Sequence, residues 1–344
     1  MGPLPLFGGS FTIPAVRYLI TGGSGYIGSR LVRSLAERDD TERIVIADVR
    51  PPGLFRPEVS YERLDVRDAA RARELMAAER PDAVVHLAFV LNPIHDEAAM
   101  YDVDVGGTQN VLRAASDAGV EQVLVTTSAT AYGAFPDNPV PIAEDWPVRG
   151  VPSFSYACHK TEADRLCQLW ALEHPDRVMT IVRPCIVFGP NVDNYLVRLW
   201  TEQPFAIDLG IDEPPLQYVH EDDVVDALER LLHGRHAGAF NVAGDGTMTP
   251  AECAEAAGLK RRRMPLGAYR RLAALMWRLR RAEAPPGAIE FAVHPWVVST
   301  ERLKETTGWS PRHTSRETFE ITMRARGKAA TPSAAPPQPA PVGA

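Results

Sequence analysis

Short β-branched runs recur along the chain, each followed by a stretch whose apolar residues return every three or four positions. The runs predict strands over 16–21, 43–48, 60–63, 83–87, 122–127, 178–183 and 239–242. The helical spacing predicts Tyr26–Arg38, Ala69–Glu79, Val103–Ala118, Ser155–His174 and Asp222–His233 between them. Strands joined through crossover helices run parallel and are covered on both faces. The pattern therefore predicts an α/β fold built on a doubly wound parallel sheet, with ligands at the C-terminal ends of the strands. The regularity fades at 189–216 and 246–327, which are rich in Pro and Trp and read as a smaller, mixed C-terminal substrate lobe. Residues 217–245 return to the sheet. Residues 1–15 read as an N-terminal tail, and 328–344 as a disordered Pro/Ala tail whose composition does not repay the entropy of ordering.

Chemistry enters at the first strand-to-helix turn. Gly22, Gly25 and Gly28 follow strand 16–21, and Tyr26 and Ile27 begin the helix. Glycines let the backbone turn sharply and approach a pyrophosphate, and the helix N-terminus offers free N–H groups and partial positive charge. Asp48 ends the next strand twenty residues after Gly28, where a carboxylate meets adenosine ribose hydroxyls. Loop and acid together define a Rossmann-type dinucleotide-binding domain over 16–188. A carboxylate at 48 repels a 2′-phosphate, which favours NAD over NADP, although Arg50 stands close by.

A second constellation concerns the reaction. Ser128 follows strand 122–127, and Tyr156 and Lys160, four residues apart, share one helix face. An ammonium near a phenol, together with an oxidised nicotinamide ring, would favour the phenolate and bring a group with an ordinary pKa of ~10 toward working pH. Ser128, with Thr130 as a second hydroxyl, would position a substrate oxygen while Tyr156 handles the proton.

Composition narrows the partners. The formal charge is −7 and the pI about 5.8, which gives no reason to expect nucleic acid. Cys158, Cys167, Cys185 and Cys253 lack metal-type spacing, so no metal is expected and the chain reads as cytoplasmic with reduced thiols. No apolar run is long enough to span a membrane. Residues 260–281 form a basic amphipathic stretch with three readings: a weak membrane-surface contact, a cover over a lipophilic substrate, or a solvated helix whose apolar face packs in the small lobe. His86 reads as a buried structural histidine, His159 as pointing outward, His220 as a helix start, and Cys185 as core.

The order and spacing of these motifs resemble the extended short-chain dehydrogenase/reductases, within them the NAD-dependent epimerase/dehydratase family and its UDP-glucose 4-epimerase-like branch. The resemblance covers roughly residues 16 to 312. It rests on the glycine loop, Asp48, Leu64-Asp65-Val66, His86-Leu87-Ala88, Asn110 in Val105–Asn110, and Ser128–Gly133. It continues through Tyr156-x-x-x-Lys160, Arg183-Pro184, Phe188-Gly189-Pro190 and Tyr218–Asp223. It implies that Asp65 and Val66 contact adenine, that Leu87 and Ala88 line the cofactor, and that Lys160 also holds the nicotinamide ribose. It further implies that Pro184 and Ile186 approach the nicotinamide. By the same resemblance, Asn191 and Gln217 fall among the substrate contacts, and helices 103–118 and 155–174 pair two subunits into a four-helix bundle. Ile186 stands where nucleotide-sugar enzymes commonly carry Asn, and Gln217 where they carry the arginine that grips a diphosphate. Ala129-Thr130 replaces the Asp-Glu of dehydratases. The expected activity is hydride transfer at a secondary hydroxyl or ketone of a sugar-type substrate. The alternatives are a dehydrogenase or ketoreductase of a non-nucleotide, lipophilic substrate and an NAD-responsive binding protein without chemistry.

Overall fold

The computed structural model of the protein describes residues 15–53 and 56–328, and the expectations for 1–14 and 329–344 lie outside the described residues. In chain order the first half contains β1 (Val16–Thr21), α1 (Tyr26–Leu35), β2 (Thr41–Asp48), β3 (Val59–Arg63), α2 (Ala69–Glu79) and β4 (Ala83–His86). It continues through α3 (Glu97–Tyr101), α4 (Gly107–Asp117), β5 (Gln122–Thr126), α5 (Ser155–Glu173) and β6 (Val178–Pro184). The second half holds β7 (Ile186–Phe188), α6 (Tyr195–Thr201), β8 (Ala206–Asp208), β9 (Tyr218–His220), α7 (Glu221–His233) and β10 (Gly238–Val242). After these come α8 (Pro250–Ala256), β11 (Arg261–Arg263), α9 (Leu266–Arg278), α10 (Glu301–Thr307) and α11 (Ser315–Ala325).

Seven strands form one all-parallel sheet in the order β3-β2-β1-β4-β5-β6-β10. The order reverses between β1 and β4, and a crevice at such a point receives ligand. Alternate side chains face opposite layers, as the two-residue period of a strand requires. Ile20, Ile44, Val85, Leu124 and Val182 join the core that includes Leu31 of α1 and Leu228 of α7. Leu19, Val45, Val84, Val123 and Ile181 join the other core, with Leu75 of α2, Val111 of α4 and Trp170 of α5.

Two elements differ from the sequence reading. The helix expected over Val103–Ala118 starts earlier, at α3, where Asp96 accepts the Ala99 N–H. It then widens into a π-helical turn at Asp102–Gly106 before α4 resumes. The widened turn carries the buried Asp104, whose Oδ1 accepts the Val90 N–H at 2.8 Å. Periodicity alone does not register such a turn, because the apolar stripe continues through it. The second difference concerns 301–325, assigned by composition to the small lobe. Here α10 lies against β10 and α7, and α11 lies against β9. The Phe319 ring sits 5.1 Å from Tyr218 and 6.1 Å from Phe188, so the C-terminal helix closes the main core.

Candidate functional site

The crevice is lined first by the glycine loop. Gly22 has φ +72°, and a Cβ there would stand 2.7 Å from the Ala88 nitrogen and the Leu87 carbonyl carbon. The loop thus abuts the two residues expected to line a cofactor. A Cβ on Gly28 would stand 2.2 Å from the Gly22 oxygen, so α1 approaches the loop as closely as a backbone allows. Gly25 caps α1 without any side-chain hydrogen bond. The amides of the first turn, at Tyr26 and Ile27, therefore keep their donors for a ligand. Asp48 is buried at the end of β2, where it accepts the Ser24 N–H at 3.1 Å and the Arg50 N–H at 3.0 Å. Further along, Arg67 holds Asp65 below the usual carboxylate range, and Asn110 donates to the Val66 carbonyl at 3.0 Å. These residues fit a dinucleotide: a cradle free of side chains, an uncapped helix start, and a carboxylate on the neighbouring strand.

Beside the cradle, β5 ends and the chain turns at Ser128, whose Oγ accepts the Thr130 N–H at 3.1 Å. Among the described residues, the buried Thr130 Oγ1 has no hydrogen-bond partner. Tyr156 and Lys160 are buried on one face of α5. Burial raises the Tyr156 phenol above its ordinary pKa, with smaller contributions from Tyr195 and Asp104, while Ser128 offsets part of the rise. Burial pushes Lys160 down to about 7, with Asp104 opposing. Its Nζ donates to the Thr126 carbonyl at 3.0 Å and lies 3.2 Å from the centre of the Phe89 ring. Its distance to the Tyr156 ring centre is 5.8 Å. Burial sets the direction for this phenol, and Ser128, not Lys160, is the group that opposes the rise.

The remaining predicted residues fall into place unevenly. Pro184 ends β6 opposite Val242, and Ile186 is buried in β7. Asn191 donates to the Glu221 Oε1 at 2.6 Å. The Gln217 amide is engaged with the Val298 backbone, accepting its N–H at 3.0 Å and donating to its carbonyl at 3.2 Å. Both amides are held by the protein itself rather than left free. His159 does not point outward, as helix geometry suggested. It is buried, with Nδ1 3.0 Å from Asp104 Oδ2, because the π turn brings that carboxylate beneath α5. His86 is fully buried between the Thr21 and Thr108 hydroxyls at 2.6 and 3.0 Å, and burial pushes it down to about 3. It is a neutral structural histidine. Cys185 is buried, with its thiol pushed up, and His220 starts α7 by accepting the Asp222 N–H.

Three residues escaped the sequence reading. Phe89 follows the Leu87-Ala88 pair directly, but only the tertiary structure places its ring on Lys160 of α5. Tyr195 opens α6 and is buried near Tyr156. Glu221 looked like an ordinary acid at a helix start, yet it is wholly buried and receives Tyr26, Arg30 and Asn191. It links the turn after the glycine loop to the entry of the small lobe. Nothing in the local sequence separates it from the half-buried Asp222 beside it.

This is a doubly wound α/β protein whose glycine turn, shaped to accept a dinucleotide, has Ser128, Tyr156 and Lys160 beside it. The profile of the NAD dependent epimerase/dehydratase family matches residues 18–243, and the chain belongs to that family. It is 27% identical over 320 residues to an uncharacterized protein of Mycobacterium tuberculosis, covering 90% of this chain and 84% of the relative. It is 29% identical over 232 residues to the N-acetyl-alpha-D-glucosaminyl-diphospho-ditrans,octacis-undecaprenol 4-epimerase of Escherichia coli O157:H7, covering 64% of each. Among solved structures, the UDP-glucose 4-epimerase of Thermus thermophilus in complex with NAD aligns with a TM-score of 0.70 at 24% identity. That alignment covers 91% of this chain and all of the other. The dTDP-glucose 4,6-dehydratase of Bacillus anthracis, also with NAD, aligns with a TM-score of 0.70 at 17% identity, covering 91% and 97%.

Proposed function

We propose that this chain binds NAD and moves a hydride between it and a secondary hydroxyl or ketone of a sugar-type substrate. The observation that carries the reading is the joining of the glycine cradle and the Ser128, Tyr156 and Lys160 group at the C-terminal end of one sheet. The nicotinamide ring supplies the hydride acceptor or donor when bound. Ser128 orients the substrate oxygen, and Tyr156 carries that oxygen's proton on its phenol. Lys160 supplies a group that gains or loses its own proton near neutral pH. Asp48 meets the adenosine ribose and disfavours a 2′-phosphate, so NAD is preferred to NADP. The family and the named relatives support a sugar or nucleotide-sugar substrate. Epimerisation, with hydride returned to the opposite face, leaves no net NADH.

Two observations favour a second reading, a dehydrogenase or ketoreductase of a non-nucleotide substrate. Ile186 offers no hydrogen bond, and the Gln217 amide is tied to Val298. The chain acts as a homodimer through α4 and α5 in either case, with Leu169 and Leu172 of α5 exposed for the contact.

Incubation of the purified chain with NAD and UDP-glucose tests the reading. Appearance of the 4-epimer with no rise in reduced-nicotinamide absorbance supports it. Stoichiometric NADH from a lipophilic alcohol, with UDP-glucose untouched, replaces it with the second reading. NAD bound with no turnover of either class leaves a binding protein.

A further inference from the structure

Helix α9 has no buried residue among its thirteen. Leu272, Leu275 and Leu279 are exposed by 41, 53 and 53%, and with Ala268 they follow the four-three-four spacing of a single helix face. Tyr269, Ala273, Met276 and Trp277 form the adjacent, half-buried side. The apolar face turned to solvent is therefore additional to the one used for packing.

Charge says what the outer face fits. Between Lys260 and Arg281 the chain has nine basic and no acidic residues, against a formal charge of −7 for the whole chain. Arg261 is paired with Glu213 and Arg270 with Glu290. Among the described residues, Arg271, Arg278, Arg280 and Arg281 are exposed and form no ion pair with any carboxylate. Arg271 and Arg278 flank the leucine stripe seven residues apart, where long side chains can lay their stems on an apolar layer and raise their charges to its edge. A second copy of this chain meeting the face symmetrically would set arginines against arginines. An anionic lipid layer satisfies both the stripe and its flanking charges.

The packed side of the same helix borders the candidate site. The Trp277 ring stacks on His95 at 3.8 Å, and the same loop exposes Leu91 and Ile94. That loop starts at Phe89 on Lys160, and its Asn92 accepts the Tyr195 N–H at 3.1 Å.

We infer that the outer face of α9, extended by Leu91 and Ile94, docks the protein on anionic membrane surfaces. Docking holds the loop that touches Lys160 and Tyr195 against the headgroup layer. The inference is independent of the substrate proposed above.

Sedimentation of the full chain with vesicles tests it, using phosphatidylcholine alone and phosphatidylcholine mixed with phosphatidylglycerol. Sedimentation with the mixed vesicles only, weakened by added salt, is expected. The double variant Arg271→Ser/Arg278→Ser should lower partitioning roughly thirtyfold, from about 1 kcal/mol for each arginine at an anionic surface. The triple variant Leu272→Ser/Leu275→Ser/Leu279→Ser should abolish it, with circular dichroism and melting temperature unchanged because all three side chains are exposed. Recovery of the wild-type chain in the supernatant with mixed vesicles overturns the inference. So does vesicle binding that neither variant alters. Self-association lost in the leucine variant, without vesicle binding, overturns it in favour of a second copy of the chain.

Discussion

The ammonium of Lys160 lies 3.2 Å from the centre of the Phe89 ring, nearer to it than to Tyr156 one helical turn away. An aromatic face and one carbonyl are its partners in a buried site, so the charged form is poorly compensated. The folded pKa of about 7 lies below the unfolded value of ~10.4, so the unfolded chain binds more protons between these limits. Stability of the ligand-free protein should therefore rise from pH about 7 toward 10, by roughly 1.4 kcal/mol per pH unit at most. Lys160→Met should flatten that rise. Urea midpoints measured across the range check it, and an unchanged slope in the variant would remove Lys160 as the cause.

His86 acts at the acid end. Its folded pKa of about 3 lies below the ordinary ~6.5, so the unfolded chain takes up a proton first as the pH falls. Stability contributed by the neutral ring is present above pH about 6.5 and is lost toward pH 3. His86→Gln should show a shallower acid limb in thermal melts, even where its stability at neutral pH is lower.

Tyr156→Phe should reduce turnover by at least about 10²-fold, the usual scale of a lost acid–base group, while NAD affinity measured by calorimetry stays within a few-fold. Retained turnover would take the phenol out of the mechanism.

The buried pair of Arg183 and Asp164 offers a separate test of the scaffold. Two bonds of 2.8 Å join them, and Arg183 also donates to the Tyr132 hydroxyl at 2.7 Å and the Glu144 carbonyl at 3.0 Å. This network ties β6, α5 and the turn after Ser128. Asp164→Ala strands the guanidinium and should cost about 3–5 kcal/mol in chemical denaturation. Arg183→Met combined with Asp164→Leu should recover much of that loss.

Gly28→Ala places a methyl group 2.2 Å from a backbone oxygen that cannot swing away. The loop must shift, at about 1–3 kcal/mol, and NAD binding by calorimetry should weaken at least tenfold, by the ~1.4 kcal/mol equivalence. Wild-type affinity in that variant would show that the cradle is not the dinucleotide site.

The sheet, the glycine turn and the placing of Tyr156 and Lys160 on one helix face were all legible in the chain, because each rests on local rules. β-branched runs between helical stripes dictate parallel strands, glycines dictate a turn without side chains, and a spacing of four puts Tyr156 and Lys160 on one face. What only the tertiary structure decided lies between segments distant in sequence. Whether His159 faces solvent or Asp104 depended on a π turn 55 residues away. Whether Glu221 is a surface acid or a buried link depended on Tyr26 and Arg30, nearly 200 residues earlier. The amides of Asn191 and Gln217 found partners in Glu221 and Val298. Burial then shifted the proton affinities of Lys160, His86 and Tyr156, since desolvation depends on every neighbour at once and periodicity reports only on the next turn.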